Sequence, residues 1–304
     1  MFGSHNLLVC ILSTHTFESP METLPHHGYS STPFWAFPNL VGLDAPMVAV
    51  CWQWIFAELL GISLPWMVYL ILALSAWSIY LGDRLVDVAR SRALPFNTNR
   101  HRFTARHCKA LIFLLTAVAG TNLILISIYL PVNLIVTGCF TSGLIAIYYL
   151  IRLTKIRKYV SLIPRELLCG MLFSMGCAIG PHAYAPNHSM QLAYLLVVVL
   201  FGLLCSASCV LISIWEKDSD HASKDPSVVS SQKEIVPHIA KALVALAAIA
   251  AVLSIFVFVK ALLAIALAAV FLNFTLRFQD RLSLLTRRVL ADAVLLTPLI
   301  FVLF

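Results

Sequence analysis

The chain has 304 residues, 60% of them hydrophobic and only 12% charged, with a net charge of +7 and a mean hydropathy of +0.89. Soluble domains are roughly half apolar and about a quarter charged, so this composition excludes a soluble globular domain and predicts a polytopic membrane protein. The positive balance fits loops facing an anionic leaflet rather than a nucleic-acid-binding surface.

Residues 1–40 carry no Lys or Arg. Their apolar run, Leu7 to Leu12, is too short to span a bilayer, and a signal peptide wants a basic start. They read as a loose extension before a membrane domain at 41–304, with Met21 as a second candidate start. A bilayer core of ~30 Å takes ~20 apolar helical residues. On that measure the chain holds nine candidate spans, at about 45–62, 63–81, 110–130, 131–151, 163–181, 191–214, 239–259, 261–276 and 287–304. Ser63-Leu64-Pro65 and Leu130-Pro131 mark tight helical hairpins. The expected fold is all-α, a bundle of about nine transmembrane helices.

Lys and Arg give the orientation. Segments 82–109, 152–165, 216–241 and 277–288 hold seven, five, four and four of them, twenty of the 21 in the chain. Each follows an even-numbered span, so all four fall on one face. Lys260 is the exception on the other. The positive-inside rule makes the basic face cytoplasmic, with the N-terminus inside and the C-terminus outside. The expected location is the cell's inner (plasma) membrane, with the site at its cytoplasmic face.

The eight cysteines form no CxxC pair and no metal-finger spacing. Cys51, Cys139, Cys169, Cys177, Cys205 and Cys209 fall in apolar runs and read as small packing residues.

Two acidic knots end the second and sixth spans on the basic face. In "IYLGDRLVDVARSR", Asp83 and Asp87 are four residues apart and share a helix face, with Cβ atoms ~5–6 Å apart. In "WEKDSD", Glu216 and Asp220 repeat the spacing with Asp218 between them. Carboxylates held that close repel unless a cation sits between them. Mg²⁺ takes one or two carboxylates and completes its shell with phosphate oxygens and water. Two such knots facing each other would hold Mg²⁺ against a diphosphate, with Asp83, Asp87, Glu216 and Asp220 as the catalytic carboxylates and Asp218 a further metal ligand. Arg84 sits inside the first knot. Arg100, Arg102, Lys155 and Lys158 are further candidates for binding diphosphate oxygens.

"DRLVD" at Asp83–Asp87 resembles the DRxxD half of the first aspartate-rich motif of the UbiA superfamily of intramembrane prenyltransferases. "EKDSD" at Glu216–Asp220 resembles its second motif. Tyr149 followed by Lys155 and Lys158 is similar to the family's Tyr-then-Lys region before its fifth helix. The resemblance covers about residues 41–304. It implies nine transmembrane helices and Mg²⁺-dependent transfer of a prenyl group from a prenyl diphosphate to a small-molecule acceptor. The acceptors include aromatic compounds, and Tyr149 becomes a candidate for the prenyl or acceptor site. The first motif usually opens with Asn four residues before the aspartate of DR, followed by a position that is often Asp. Here Ile79 and Tyr80 stand there. Glu216 replaces an aspartate, and "NTNRHRFTARH" stands where an Arg-Pro signature is usual. The chain reads as a divergent member.

Trp52, Trp54, Trp77, Tyr80, Tyr148, Tyr149 and Phe173 are candidates to line an isoprenoid cavity. Charges inside the spans usually face a cavity or pair up. Glu58, with Gln53, is a candidate acceptor contact. Asp292 lies four residues after Arg288, a ready helix-face ion pair. The rival reading is a non-catalytic transporter or isoprenoid-lipid-binding protein. The CDP-alcohol phosphotransferases are set aside because their DG…AR…G…D…D pattern is missing.

Overall fold

A computed structural model describes residues 33–90, 99–153, 165–185, 192–216, 235–257 and 260–303. All regular structure among them is helical. A single 3₁₀ turn, Phe34–Ala36, leads into α1 (Phe37–Val41). There follow α2 (Asp44–Leu59), α3 (Trp66–Arg90), α4 (Asn99–Arg106), α5 (Cys108–Tyr129), α6 (Val132–Leu153), α7 (Arg165–Tyr184), α8 (Leu192–Trp215), α9 (Ile235–Val257), α10 (Lys260–Arg277) and α11 (Leu284–Ala293). The chain ends in a 3₁₀ stretch, Val294–Leu299, and α12 (Ile300–Leu303).

Six of these helices are long and apolar enough to cross a membrane: α3, α5, α7, α8, α9 and α10. The segment Phe34–Val41 and α2 pass together as a seventh, bent by 80° between them. The chain is an integral membrane protein. Its outer surface agrees, since Phe113, Ile128, Phe140, Phe256 and Phe274 point outward, as suits a hydrocarbon solvent with no apolar surface to hide from.

Each expected span overlaps a helix, with three differences. α3 runs to Arg90, beyond the expected end of the second span, so the first acidic knot occupies its last two turns. The 97–107 segment, which lies between the second and third expected spans, contains α4. The ninth span is not one α-helix, because Pro298 lacks a donor and the chain tightens to 3₁₀ there. In an i→i−3 ladder Pro298 leaves the Leu295 carbonyl open. Trp52 Nε1 donates to that carbonyl at 2.7 Å, so a core indole replaces the missing backbone donor. The end of the supposed loose extension is also built: residues 34–40 are helical, with Asn39 and Leu40 buried. Residues 1–32 lie outside the described residues.

α7 and α8 make the tightest pair. A Cβ on Gly170 would collide with the backbone nitrogen and Oγ of Ser206, and one on Gly202 would lie 2.5 Å from Met171 Sδ. Small residues four apart on each helix, Gly170/Ser174 and Gly202/Ser206, let the backbones touch. Hydroxyls then bond across: Ser174 Oγ to Val198 O at 2.6 Å, Ser206 Oγ to Leu167 O at 3.1 Å and Tyr194 Oη to Ala178 O at 2.6 Å. The core fills in around them. Trp52 stacks on Phe201 at 3.7 Å between ring centroids, and Phe56 meets Phe201 and Tyr194 edge-on. On α10, Ala261, Ala264, Ile265, Ala268, Ala269 and Leu272 repeat at helical spacing and are fully enclosed against α9, α8 and the 3₁₀ stretch.

Candidate functional site at one end of the bundle

The last turns of α3 and the start of α2 hold α1 between them. At about 100° per residue, Trp77, Tyr80 and Arg84 form one stripe of α3, and Asp83 and Asp87 lie beside it within the same third of the circumference. That stripe meets the C-terminal end of α1. Trp77 Nε1 donates to Val41 O at 3.1 Å, Arg84 Nη1 to Leu40 O and Arg84 Nη2 to Asn39 O, both at 2.7 Å. Leu43 N donates to Pro38 O at 2.9 Å. The four carbonyls that a helix leaves open at its C-terminus are therefore all satisfied, three of them by α3. Arg84 is only 3% exposed, and its cation meets the negative end of the α1 dipole. The guanidinium also lies 4.3 Å from the centre of the Tyr80 ring.

Gly42 makes this approach possible. Its φ of 80° ends α1 in the left-handed conformation, and a Cβ there would meet the Tyr80 ring at 2.9 Å. Gly42→Ala is expected to destabilise the protein by about 1 kcal/mol or more and to loosen α1. Thermal unfolding in detergent and proteolysis near residue 42 check this; an unchanged melting temperature with no new cleavage would contradict the docking.

From α1 the network turns inward. Asn39 Nδ2 donates to Asp44 Oδ2 at 2.7 Å and to Asp292 Oδ2 at 3.0 Å. Tyr80 Oη reaches Asp44 Oδ2 at 3.4 Å. One turn before Asp292, Arg288 forms a buried ion pair with Glu216 at the end of α8. Beside it, Trp215 Nε1 donates to Gln279 Oε1 at 2.8 Å, and Ser213 Oγ donates to Glu166 Oε1 at 3.1 Å. A polar path thus runs from Arg84 through α1, Asn39 and α11 to Glu216.

The expected site residues divide accordingly. Asp83, Arg84, Asp87 and Glu216 share one end of the bundle, the two Asp side chains half-buried and Arg84 and Glu216 buried. Arg102 is exposed on α4, which packs on both α3 and α1. Arg100 and Tyr149 lie on α4 and α6, with side chains outside the description. Lys155, Lys158, Asp218 and Asp220 lie outside the described residues. Among the described residues, no group of three or more His, Cys, Asp or Glu side chains gathers for a metal ion.

Glu58 is not in this cluster. It lies 14 residues beyond Asp44 on α2, about 21 Å along the helix, and pairs with Lys260 at 2.8 Å. That contact also accounts for the exceptional lysine, whose charge is matched. Arg288, expected to pair with Asp292, forms a buried ion pair with Glu216, and Asn39 donates to Asp292. Ile79 is 42% exposed on the outer face, so an apolar residue suits that position. Trp52 belongs to the packed core, and Trp77 and Tyr80 to the α1 dock.

Sequence reasoning missed Asn39 and the dock around it. A signal was present in "PNLVG": Pro at a helix start and Gly just past its end bracket a short helix. No family model, curated protein or solved structure matches the chain.

Proposed function

We propose that the chain is a membrane prenyltransferase of UbiA type, transferring a prenyl group from a prenyl diphosphate to a small-molecule acceptor of a class that includes aromatic compounds, with its reaction site at the end of the bundle that carries α1. The observation that carries this reading is the meeting, at one end, of the acidic helix α3 and the α8 terminus through the path from Arg84 to Glu216. Nine crossings with a cytoplasmic N-terminus remain the topology proposed. The continuous run 284–303 reaches about 33 Å at the usual α and 3₁₀ rises, enough for the last of them.

Asp83 and Asp87 fit Mg²⁺ as a half-buried i, i+4 carboxylate pair, and Mg²⁺ needs no more protein ligands than these when a diphosphate supplies the rest. Bound there, Mg²⁺ would neutralise charge on the departing diphosphate. Glu216 fits a positioning role better than a ligand's, because its Oε1 is engaged by Arg288. Arg84 likewise holds α1 in place beside the aspartates. Arg102, exposed on α4, supplies positive charge that draws a diphosphate to this end, and Arg100, Lys155 and Lys158 are proposed to add to it because their segments share one side of the membrane by the alternation of spans.

The rival reading, an isoprenoid-lipid-binding or transport protein without chemistry, is favoured by one observation: two residues of the acidic motifs, Arg84 and Glu216, are both committed to internal contacts. Binding of farnesyl diphosphate to the detergent-purified protein separates the two. Under the enzyme reading, removing Mg²⁺ or substituting Asp83→Asn or Asp87→Asn weakens binding about 10-fold or more. Binding indifferent to metal and to both substitutions would sink it in favour of the carrier.

A further inference from the structure

The 3₁₀ turn and α1, which precede α2, have two unlike faces. Ala36, Asn39 and Leu40 are buried against the bundle, and the carbonyls of Asn39 and Leu40 accept from Arg84. Phe34, Trp35 and Phe37 face outward, 93%, 49% and 53% exposed, and Leu43 and Met47 just after them are exposed too. Direction and depth decide what these rings meet. Phe34–Val41 is bent by 80° from α2. α2 packs along the spanning helix α3, so the segment lies close to the plane of the membrane. Trp66, exposed at the start of α3, marks one interface, as tryptophans do at the ends of spans. α1 docks at Trp77 and Arg84, roughly 16 and 27 Å further along α3 at the usual helical rise. Both lie within a hydrocarbon core of ~30 Å, and tilt would only lower these depths. The rings are therefore level with the far edge of the bilayer and not in the water above it. Positive charge lies beside them: α4 packs on α1, and Arg106 at its end and Lys109 at the start of α5 are exposed.

We propose that residues 34–41 are an interfacial anchor whose partner is the phospholipid leaflet at the α1 end of the bundle. Phe34, Trp35 and Phe37 lie among its glycerol groups and upper acyl chains, and its phosphates meet Arg106 and Lys109. The rings suit that layer, since phenylalanine brings apolar area and the indole brings apolar area with one N–H for the wet side. One 3₁₀ turn and a five-residue helix are too short to persist alone in water. The segment is held from two sides instead. Trp77 and Arg84 close its carbonyls from the protein, and lipid covers the rings. The chain thus enters α2 along the interface, and Phe34–Val41 is not the first half of a broken span. An anchor of this kind serves an enzyme and a carrier alike.

The fluorescence of Trp35 tests this, in the full chain in nanodiscs of phosphatidylcholine and phosphatidylglycerol. The chain has six tryptophans, and the difference between wild type and Trp35→Phe isolates one of them. The expected difference spectrum is blue-shifted from that of tryptophan in water and resists acrylamide. It should lose more intensity to lipids brominated near the glycerol than to lipids brominated near the chain end. Phe34→Ser with Phe37→Ser, read against its own Trp35→Phe partner, should shift the spectrum to the red and lose part of the bromine quenching. A spectrum unmoved by those two serines would overturn the proposal. Quenching by acrylamide alone would overturn it by putting the rings in water. Stronger quenching from the chain end would do so by making the segment half of a broken span. Protection from both acrylamide and bromine would mean that protein covers the rings, either residues 1–32 or a second copy of the chain, and would equally overturn it.

Discussion

Arg288→Met alone is expected to destabilise the protein by about 3–5 kcal/mol, because it leaves the Glu216 carboxylate buried without its cation. Both side chains of the pair are under a tenth exposed, so water cannot take over. Glu216→Leu should cost a similar amount by stranding the guanidinium. The double variant, Glu216→Leu with Arg288→Met, is expected to recover most of the loss, since a well-packed apolar pair often matches a buried ion pair in stability. Denaturant titration of the four proteins in detergent gives the coupling directly. Single substitutions that each cost less than about 1 kcal/mol, the range of exposed pairs, would mean that the two groups are solvated in the membrane-bound protein. The experiment also bears on chemistry. A double variant that is stable yet still binds prenyl diphosphate would place Glu216 outside the proposed metal site.

The second large effect is expected at Gly170. A side chain there has no room, because the first carbon already collides with the Ser206 backbone. Inserting methylenes into a packed core costs about 1–3 kcal/mol, and more where the obstacle is backbone that cannot rotate away. Gly170→Leu is therefore expected to force α7 and α8 apart and to break the bonds of Ser174 and Ser206 together. Loss of folded protein on size-exclusion chromatography, with a lowered melting temperature, checks this. Gly120→Ala and Gly138→Ala are the controls. Both glycines lie in helices with nothing within 4 Å of a new Cβ, so these changes should be neutral or slightly stabilising. If Gly170→Leu behaved like the controls, the close helix contact would be wrong.

Much of the candidate site was legible in local spacing. Asp83, Arg84 and Asp87 fall on neighbouring faces of a helix whatever that helix packs against, because the rotation per residue is fixed. That this helix end and the α8 terminus lie at one end of the bundle followed from counting spans, since alternate connections share a side of the membrane. Partner choice was not legible. Arg288 stands one turn from Asp292 and yet pairs with Glu216, 72 positions away. Spacing proposes the near neighbour, and only the packing of α8 against α11 brings the distant carboxylate to the guanidinium. Glu58 looked like an intramembrane pocket residue because a sequence shows depth along a span and not what lies across from it. Lys260 lies across from it. Asn39 escaped notice because its weight comes from reaching both Asp44 and Asp292, and only the fold of α1 over α3 brings Asp292 within reach.

The sequence alone determined the solvent of this protein, its helical class and the end of the bundle where charge collects. Those properties are sums over many residues, and transfer energies in a bilayer leave little choice of secondary structure. Tertiary structure alone decided which polar groups face one another: the α1 carbonyls against Arg84, Glu216 against Arg288, and the Ser206 hydroxyl against the Leu167 carbonyl. Such contacts depend on angstrom-scale backbone approach, set here by Gly42, Gly170 and Gly202. A glycine's identity in a sequence does not say what it allows to come near.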